Sequence, residues 1–271
     1  MIETLFWVLI GCALGTITGL IPGLHINSVS FFVLALNEGQ NQNLALMVVS
    51  MTIVHSFVNF IPSIFLGAPD DETFLSVLPG HYFLLKGKAL HAIKLAVSGA
   101  LFCAIICFIS FPLLAAIIIK LDEPIKAAIP WVLLISVLLL IATEKEKIPA
   151  TLLVAVSAAL GIAVLNNPLV PNPLFPLISG FFGAPALILS AQKNSTIPKQ
   201  KEKTFKINAT KTIKLSVIAA IAGTVVSVVP SLGGAQATFL IKQFFQKISR
   251  TQFMVLLGGT SIANALFSLL F

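Results

Sequence analysis

Gly15-Thr-Ile-Thr-Gly19-Leu-Ile-Pro22-Gly23-Leu24-His25 and Gly223-Thr-Val-Val-Ser227-Val-Val-Pro230-Ser231-Leu232-Gly233 carry one pattern, small-xxx-small-xx-Pro-small-Leu, offset by 208 positions. Proline lacks an N–H and cannot continue a helix cleanly, and the small residue beside it permits a sharp turn. Each motif ends a long apolar run and precedes a short one, Ile26 to Leu36 or Ala235 to Phe245. Runs that short cannot cross a bilayer, which takes about 20 residues. They read as the return arms of broken helical hairpins. The same offset sets Thr52 on Thr260 and Val54 on Ile262.

The rest of the chain has the composition such hairpins require. Hydrophobic residues make up 57% of the 271 and charged residues 10%. A soluble domain carries roughly 25% charged residues. The expected architecture is an all-α, polytopic membrane protein of about eight to ten transmembrane or re-entrant helices. Further apolar segments run from Thr4 to Leu20, Leu44 to Leu66, His91 to Ile119, Ile129 to Ala142, Pro149 to Leu165, Leu174 to Ser190, Ile213 to Val229 and Phe253 to Phe271. The first holds Glu3 and no preceding Lys or Arg, so it reads as a helix and not as a cleavable signal.

Charge placement supplies the topology. If the short arms do not cross and every other segment does, 15 of the 17 basic residues fall on one side. Only Lys120 and Lys126 fall on the other, beside Asp122 and Glu123. The positive-inside rule then sets the Lys193 to Lys214 loop in the cytoplasm, and the N-terminus and the Asn37 to Asn43 loop outside the cell membrane. The net charge of +7 is a topology signal and not a nucleic-acid footprint; contact of the Lys-rich loop with anionic membrane lipid is secondary. With this topology the first hairpin enters from outside and the second from the cytoplasm, so the repeat is inverted, as in secondary transporters. Residues 1–192 form the first repeat with its following helices, 193–211 a cytoplasmic linker, and 212–271 a partial second repeat. Ser63 maps onto Phe271, so the second repeat is expected to be incomplete. Either the chain is a minimal form or it is shortened, and a homodimer is one source of the missing helices.

Four groups of residues bear on chemistry. Past Pro22 and Gly23, the arm beginning near Leu24 is expected to present free backbone N–H groups and the positive end of its dipole, with His25, Asn27 and Ser28 as side-chain donors. Pro230, Ser231, Gly233, Gly234 and Gln236 repeat the arrangement from the opposite side. Two such helix ends converging near the midplane would hold one anion; packed helix kinks are the structural alternative. Asp70, Asp71 and Glu72 follow a long apolar helix and read either as a solvated capping turn or as a Na⁺ or proton site. His55 and Asn59 lie one turn apart within an apolar helix, where inter-helix hydrogen bonding competes with a coupling role. Cys12, Cys103 and Cys107 read as packed thiols. The sequence carries no phosphate-binding loop, metal-ligand spacing or nucleophile motif, so no cofactor beyond a coupling ion and no enzyme activity are expected.

Gly-xxx-Gly-xxx-Gly-x-x-Pro-Gly-Leu at Gly11 to Leu24 resembles the opening signature of the TctA family, the large membrane subunit of tripartite tricarboxylate transporters. Pro62 to Thr73, Leu-Pro-Gly-His at 78 to 81 and Lys-Gly-Lys-Ala at 86 to 89 are similar to its archaeal branch, and Pro230 to Gly233 fits its second motif. The resemblance implies an inverted-repeat secondary transporter driven by Na⁺ or H⁺. It also implies a small membrane subunit and an extracytoplasmic binding protein as partners in carboxylate import. Family members are usually much longer, and Ser231 stands where glycine is usual. The expected function is transport of a small organic anion. Two alternatives remain open at this point, a polyprenyl-phosphate translocase and a shortened, transport-inactive chain.

Overall fold

The computed structural model describes residues 2–22, 24, 26, 29–30, 41–67, 73–165, 167, 188, 198–201, 208–228, 233–245 and 248–270. Its elements in order are α1 (Ile2–Leu20), α2 (Gln42–Val58), α3 (Phe60–Phe65), a 3₁₀ turn (Phe74–Ser76), α4 (Val77–Leu85), α5 (Ala89–Lys120), α6 (Asp122–Thr143), α7 (Lys147–Leu165), α8 (Ala209–Ser227), α9 (Gly234–Phe244) and α10 (Arg250–Phe267), with a last 3₁₀ turn at Ser268–Leu270. Among the described residues there is no strand. Five helical segments among the described residues are long and apolar enough to cross a membrane, at 2–20, 42–65, 89–117, 147–165 and 209–227. The chain is thus an all-helical, polytopic membrane protein.

The first hairpin rests on a glycine stripe. A methyl group on Gly11, Gly15 or Gly19 would run into Met47, Met51 or Val58, so α1 climbs α2 in the same direction at backbone contact. The side chain of Asn43 donates to the Glu3 carboxylate at 2.9 Å, which fixes the start of α1 beside the start of α2. The start of α2 therefore lies at the end of the bundle where α1 begins. This is the hairpin expected from the Pro22 break, and it sets the N-terminus and Asn43 on the same side.

The second hairpin repeats it. A Cβ on Gly223 of α8 would meet Ala263 and Thr260 of α10, and one on Gly259 would meet Ala219, so α8 and α10 also run parallel. Between them α9 runs back, with Gly234 against Ser261 and Lys242 over the Phe253 ring. Equivalent positions carry equivalent details. Thr16 donates to the Cys12 carbonyl and Thr224 to the Ala220 carbonyl, both at the 208 offset. Asn41 caps α2 and Ser249 caps α10.

The two hairpins run oppositely. Phe60 and Ile64, which continue α2, pack with Ala89, Ala92, Met254 and Leu257 at the starts of α5 and α10. Ile53 and Phe57, earlier in α2, pack in a cluster with Cys103, midway along α5, and with Ile262 and Phe267 in the far half of α10. Hence α2 is antiparallel to α10 and the repeat is inverted.

Helix α10 is the centre of the bundle, buried at every position from Met254 to Ala265. It passes α5 at backbone contact: a Cβ on Gly258 would lie 1.9 Å from the Ala96 carbonyl oxygen, and one on Gly99 would lie 2.0 Å from that of Val255. By contrast α7 buries none of its residues, which suits a helix surrounded by lipid. The 3₁₀ turn and α4 occupy the stretch where a helix beginning near Glu72 is one of two readings. One element differs from the sequence expectation. Helix α6 begins at Asp122 and not near Ile129. Acids and Pro124 favour the first turn of a helix, so they start α6 and do not separate it from what precedes.

Candidate transport site

The Pro22 break is a tight turn in which the Leu24 N–H donates to the Ile21 carbonyl at 3.2 Å. Proline suits the second position of such a turn. This corrects the expectation that free donors begin at Leu24: that N–H is already engaged, and an anion at this break would have to use groups beyond it. Gly23, His25, Asn27 and Ser28 lie outside the described residues.

At the second break the structure describes Gly233, Gly234 and Gln236 but not Pro230 or Ser231. The Gln236 side-chain oxygen accepts from the Gly233 N–H at 3.0 Å. Gln236 therefore caps its own helix through its side-chain oxygen. The first bond within α9 runs from the Ala237 N–H to the Gly233 carbonyl. The N–H groups of Gly234, Ala235 and Gln236 precede it, as at any helix start. Eleven residues at about 1.5 Å each make α9 roughly 16 Å long, about half of a ~30 Å hydrocarbon core. Its start faces Ser261, in the second half of α10, so this helix end lies inside the bundle.

Around that end lies a polar seam that sequence reading missed. Thr238 and Thr260 share a hydrogen bond of 2.6 Å, and Thr238 also donates to the Gly234 carbonyl at 3.0 Å. Ser261 and Asn264 follow on α10. From the other half, Ser63 bonds the Ser76 hydroxyl and donates to the Thr73 carbonyl at 3.4 Å, all three residues being at most 1% exposed. The 3₁₀ turn that follows Thr73 and ends at Ser76 packs against both α9 and α10, so the two polar clusters lie on neighbouring elements. The signal was present as Thr260-Ser261-x-x-Asn264 at helical spacing, but the hydropathy reading absorbed it into an apolar segment.

Asp70, Asp71 and Glu72 lie outside the described residues. Their described flanks differ sharply: Gly67 is exposed and Thr73 fully buried. His55 and Asn59 are both buried, at 5% and 4% exposure. His55 Nδ1 lies 3.0 Å from Thr18 Oγ1, which links α2 to α1. Asn59 sits at the break between α2 and α3. Pro62 causes that break, because its ring meets the Val58 carbonyl and no N–H is there to bond it. Among the described residues no group of His, Cys, Asp and Glu is arranged to hold a metal.

A model of the tripartite tricarboxylate transporter TctA family matches residues 5–268. The chain belongs to the TctA family. It is also 33% identical over 273 residues to an uncharacterized protein of Methanocaldococcus jannaschii, covering 98% of this chain and 68% of that protein. No solved structure matches. Membership makes this TctA chain a membrane-transport component, in a family of transporter subunits and not of enzymes. The inverted hairpins and the archaeal relative agree with the resemblance read from Gly11 to Leu24 and Pro62 to Thr73.

Proposed function

We propose that this TctA chain is a secondary active transporter of a small organic anion of the carboxylate class, coupled to Na⁺ or H⁺. One observation carries the reading: two oppositely directed hairpins pack together, and each half brings buried hydroxyl groups to neighbouring elements. Broken helices at the interface of inverted repeats are where secondary transporters bind substrate and ion. Buried polar groups at membrane depth are tolerated where they pair with one another or line a wet cavity.

In this reading the α9 start at Gly234 and the chain beyond Pro22 supply N–H donors to the anion, with His25, Asn27, Ser28 and Ser231 beside them. Asp70, Asp71 and Glu72 bind the coupling ion next to Thr73, with His55 and Asn59 as further candidates. The basic end of the bundle faces the cytoplasm. A small membrane subunit and a binding protein are the expected partners, and a second copy is a further one.

The test is uptake of labelled di- and tricarboxylates into proteoliposomes, under Na⁺ and pH gradients, with Asp71→Asn and Gly23→Leu beside the unaltered chain. Gradient-dependent uptake of one carboxylate, lost in both variants, supports the reading. Uptake unchanged in both would remove the site assignment. A melting-temperature rise with polyprenyl phosphate but with no carboxylate would replace the transporter by the lipid translocase.

A further inference from the structure

The bundle end that carries the basic residues holds a second feature, separate from the seam. Tyr82 is the single tyrosine of the chain and lies half-buried near the end of α4. Two cations converge on its ring. The Lys86 ammonium lies 4.3 Å from the ring centroid and also bonds the phenol oxygen, and the Arg250 guanidinium carbon lies 4.1 Å from the centroid. Lys86 and Arg250 come from distant parts of the chain, and both are exposed. The carboxylates that the structure describes with their side chains, Glu3, Glu123, Glu144 and Glu146, form no ion pair with either. Each cation gains something from the ring quadrupole, but two like charges on one ring repel unless an anion lies between them.

The surroundings say which anion. Leu85, 61% exposed, adjoins Lys86. Leu240 on α9 and Phe245 just past its end are exposed, and the Lys242 ammonium between them in sequence sits 5.8 Å from the centroid of the Phe253 ring. Cations backed by exposed leucine and phenylalanine match a group with an anionic head and apolar chains. A soluble anion would leave those side chains in water. A tyrosine at the end of a membrane bundle also occupies headgroup depth. We propose that Tyr82, Lys86 and Arg250 form an interfacial site for the phosphate of an anionic phospholipid, its acyl chains lying over Leu85 and the exposed face of α9.

The experiment uses the full chain in detergent, titrated with dioctanoyl phosphatidylglycerol, dioctanoyl phosphatidylcholine or inorganic phosphate, and read by melting temperature. Phosphatidylglycerol is expected to raise it, with phosphatidylcholine and inorganic phosphate giving no comparable rise. Lys86→Gln and Arg250→Gln should each weaken the effect about fivefold, as expected for one interfacial cation. The charge-matched variants Lys145→Gln and Lys147→Gln should leave it intact. An equal rise with inorganic phosphate, or equal weakening by the two pairs of variants, would overturn the site. A readout on the unaltered chain covers variants that do not fold. A lipid phosphate beside Lys86 should move the phenol titration of Tyr82 to higher pH with phosphatidylglycerol and not with phosphatidylcholine; an unmoved titration also overturns the proposal.

Discussion

Gly258 of α10 and Gly99 of α5 are reciprocal partners: each lies against the backbone of the other helix, at Ala96 and Val255. Lipid tails give two apolar helices no hydrophobic reason to associate, so this crossing depends on close backbone packing that only small residues allow. Neither obstacle is the end of a flexible side chain. Gly258→Ala should therefore cost roughly 2 kcal/mol or more, within or above the range for overpacked cores. Gly161→Ala on α7, where the nearest atom is a leucine methyl carbon at 3.9 Å, should be neutral or slightly stabilising. Melting of the two variants in one detergent checks the contrast.

His55 and Thr18 hold α2 to α1. The Thr18 hydroxyl is 3.2 Å from the Gly15 carbonyl as well as 3.0 Å from His55 Nδ1, so its oxygen ties one turn of α1 to α2. Inter-helix hydrogen bonds in membranes are worth about 0.6 kcal/mol on average. Thr18→Val should lower stability by about that much, and Thr18→Ser should restore it. A Thr18→Val loss well above 2 kcal/mol would mean that the His55 bond does more than join helices.

The hairpin architecture was readable from sequence because it is written in one-dimensional signals: apolar length, proline breaks and the side on which lysines fall. The 208-residue offset pairs Thr16 with Thr224, which make the same bond to the carbonyl four residues back, and Gly15 with Gly223, which each abut the parallel helix of their hairpin. The candidate site was less readable, for two physical reasons. Free donors were assigned by counting from a proline, but Leu24 and Gly233 already spend their N–H groups on Ile21 and Gln236. Ser63, Thr73 and Ser76 become a cluster only when Thr73 and the 3₁₀ turn pack against α3, a tertiary event with no local periodicity.

Gly67 and Gly87 test local strain against packing. Both have left-handed backbones, with φ of 63° and 69°. A Cβ on Gly67 meets nothing within 4 Å, whereas one on Gly87 would lie 2.8 Å from the Lys199 carbonyl oxygen. Gly67→Ala should cost about 1–2 kcal/mol, the conformational penalty alone. Gly87→Ala adds displacement of the Pro198 to Lys201 segment, which is held by the Lys201 N–H on the Gly87 carbonyl and by Gln200 capping the Ala89 N–H. It should therefore cost more than Gly67→Ala, and Gln200→Ala should cost about 1 kcal/mol by itself. Equal costs at the two glycines would show that the linker does not press on this turn.

Tyr82 offers a pH signature. The hydrogen bond from Lys86 and its charge, followed by the charges of Arg250 and Lys88, hold the phenol below the ordinary tyrosine value of 10.0 despite partial desolvation. The sign follows from charge: phenolate is the form the cations favour, so ionisation begins at lower pH than in a free tyrosine. The chain has one tyrosine, so the ultraviolet titration belongs to this residue without correction. The folded chain should titrate below its denatured form, and Lys86→Gln should raise the midpoint by removing the largest cause. Arg250→Gln should raise it less. The lowered folded value also makes a linkage prediction: any stability this contact lends appears as pH rises through the folded midpoint and is absent below it. Coincident titrations of folded and denatured chain would mean that Lys86 does not sit on the phenol in solution.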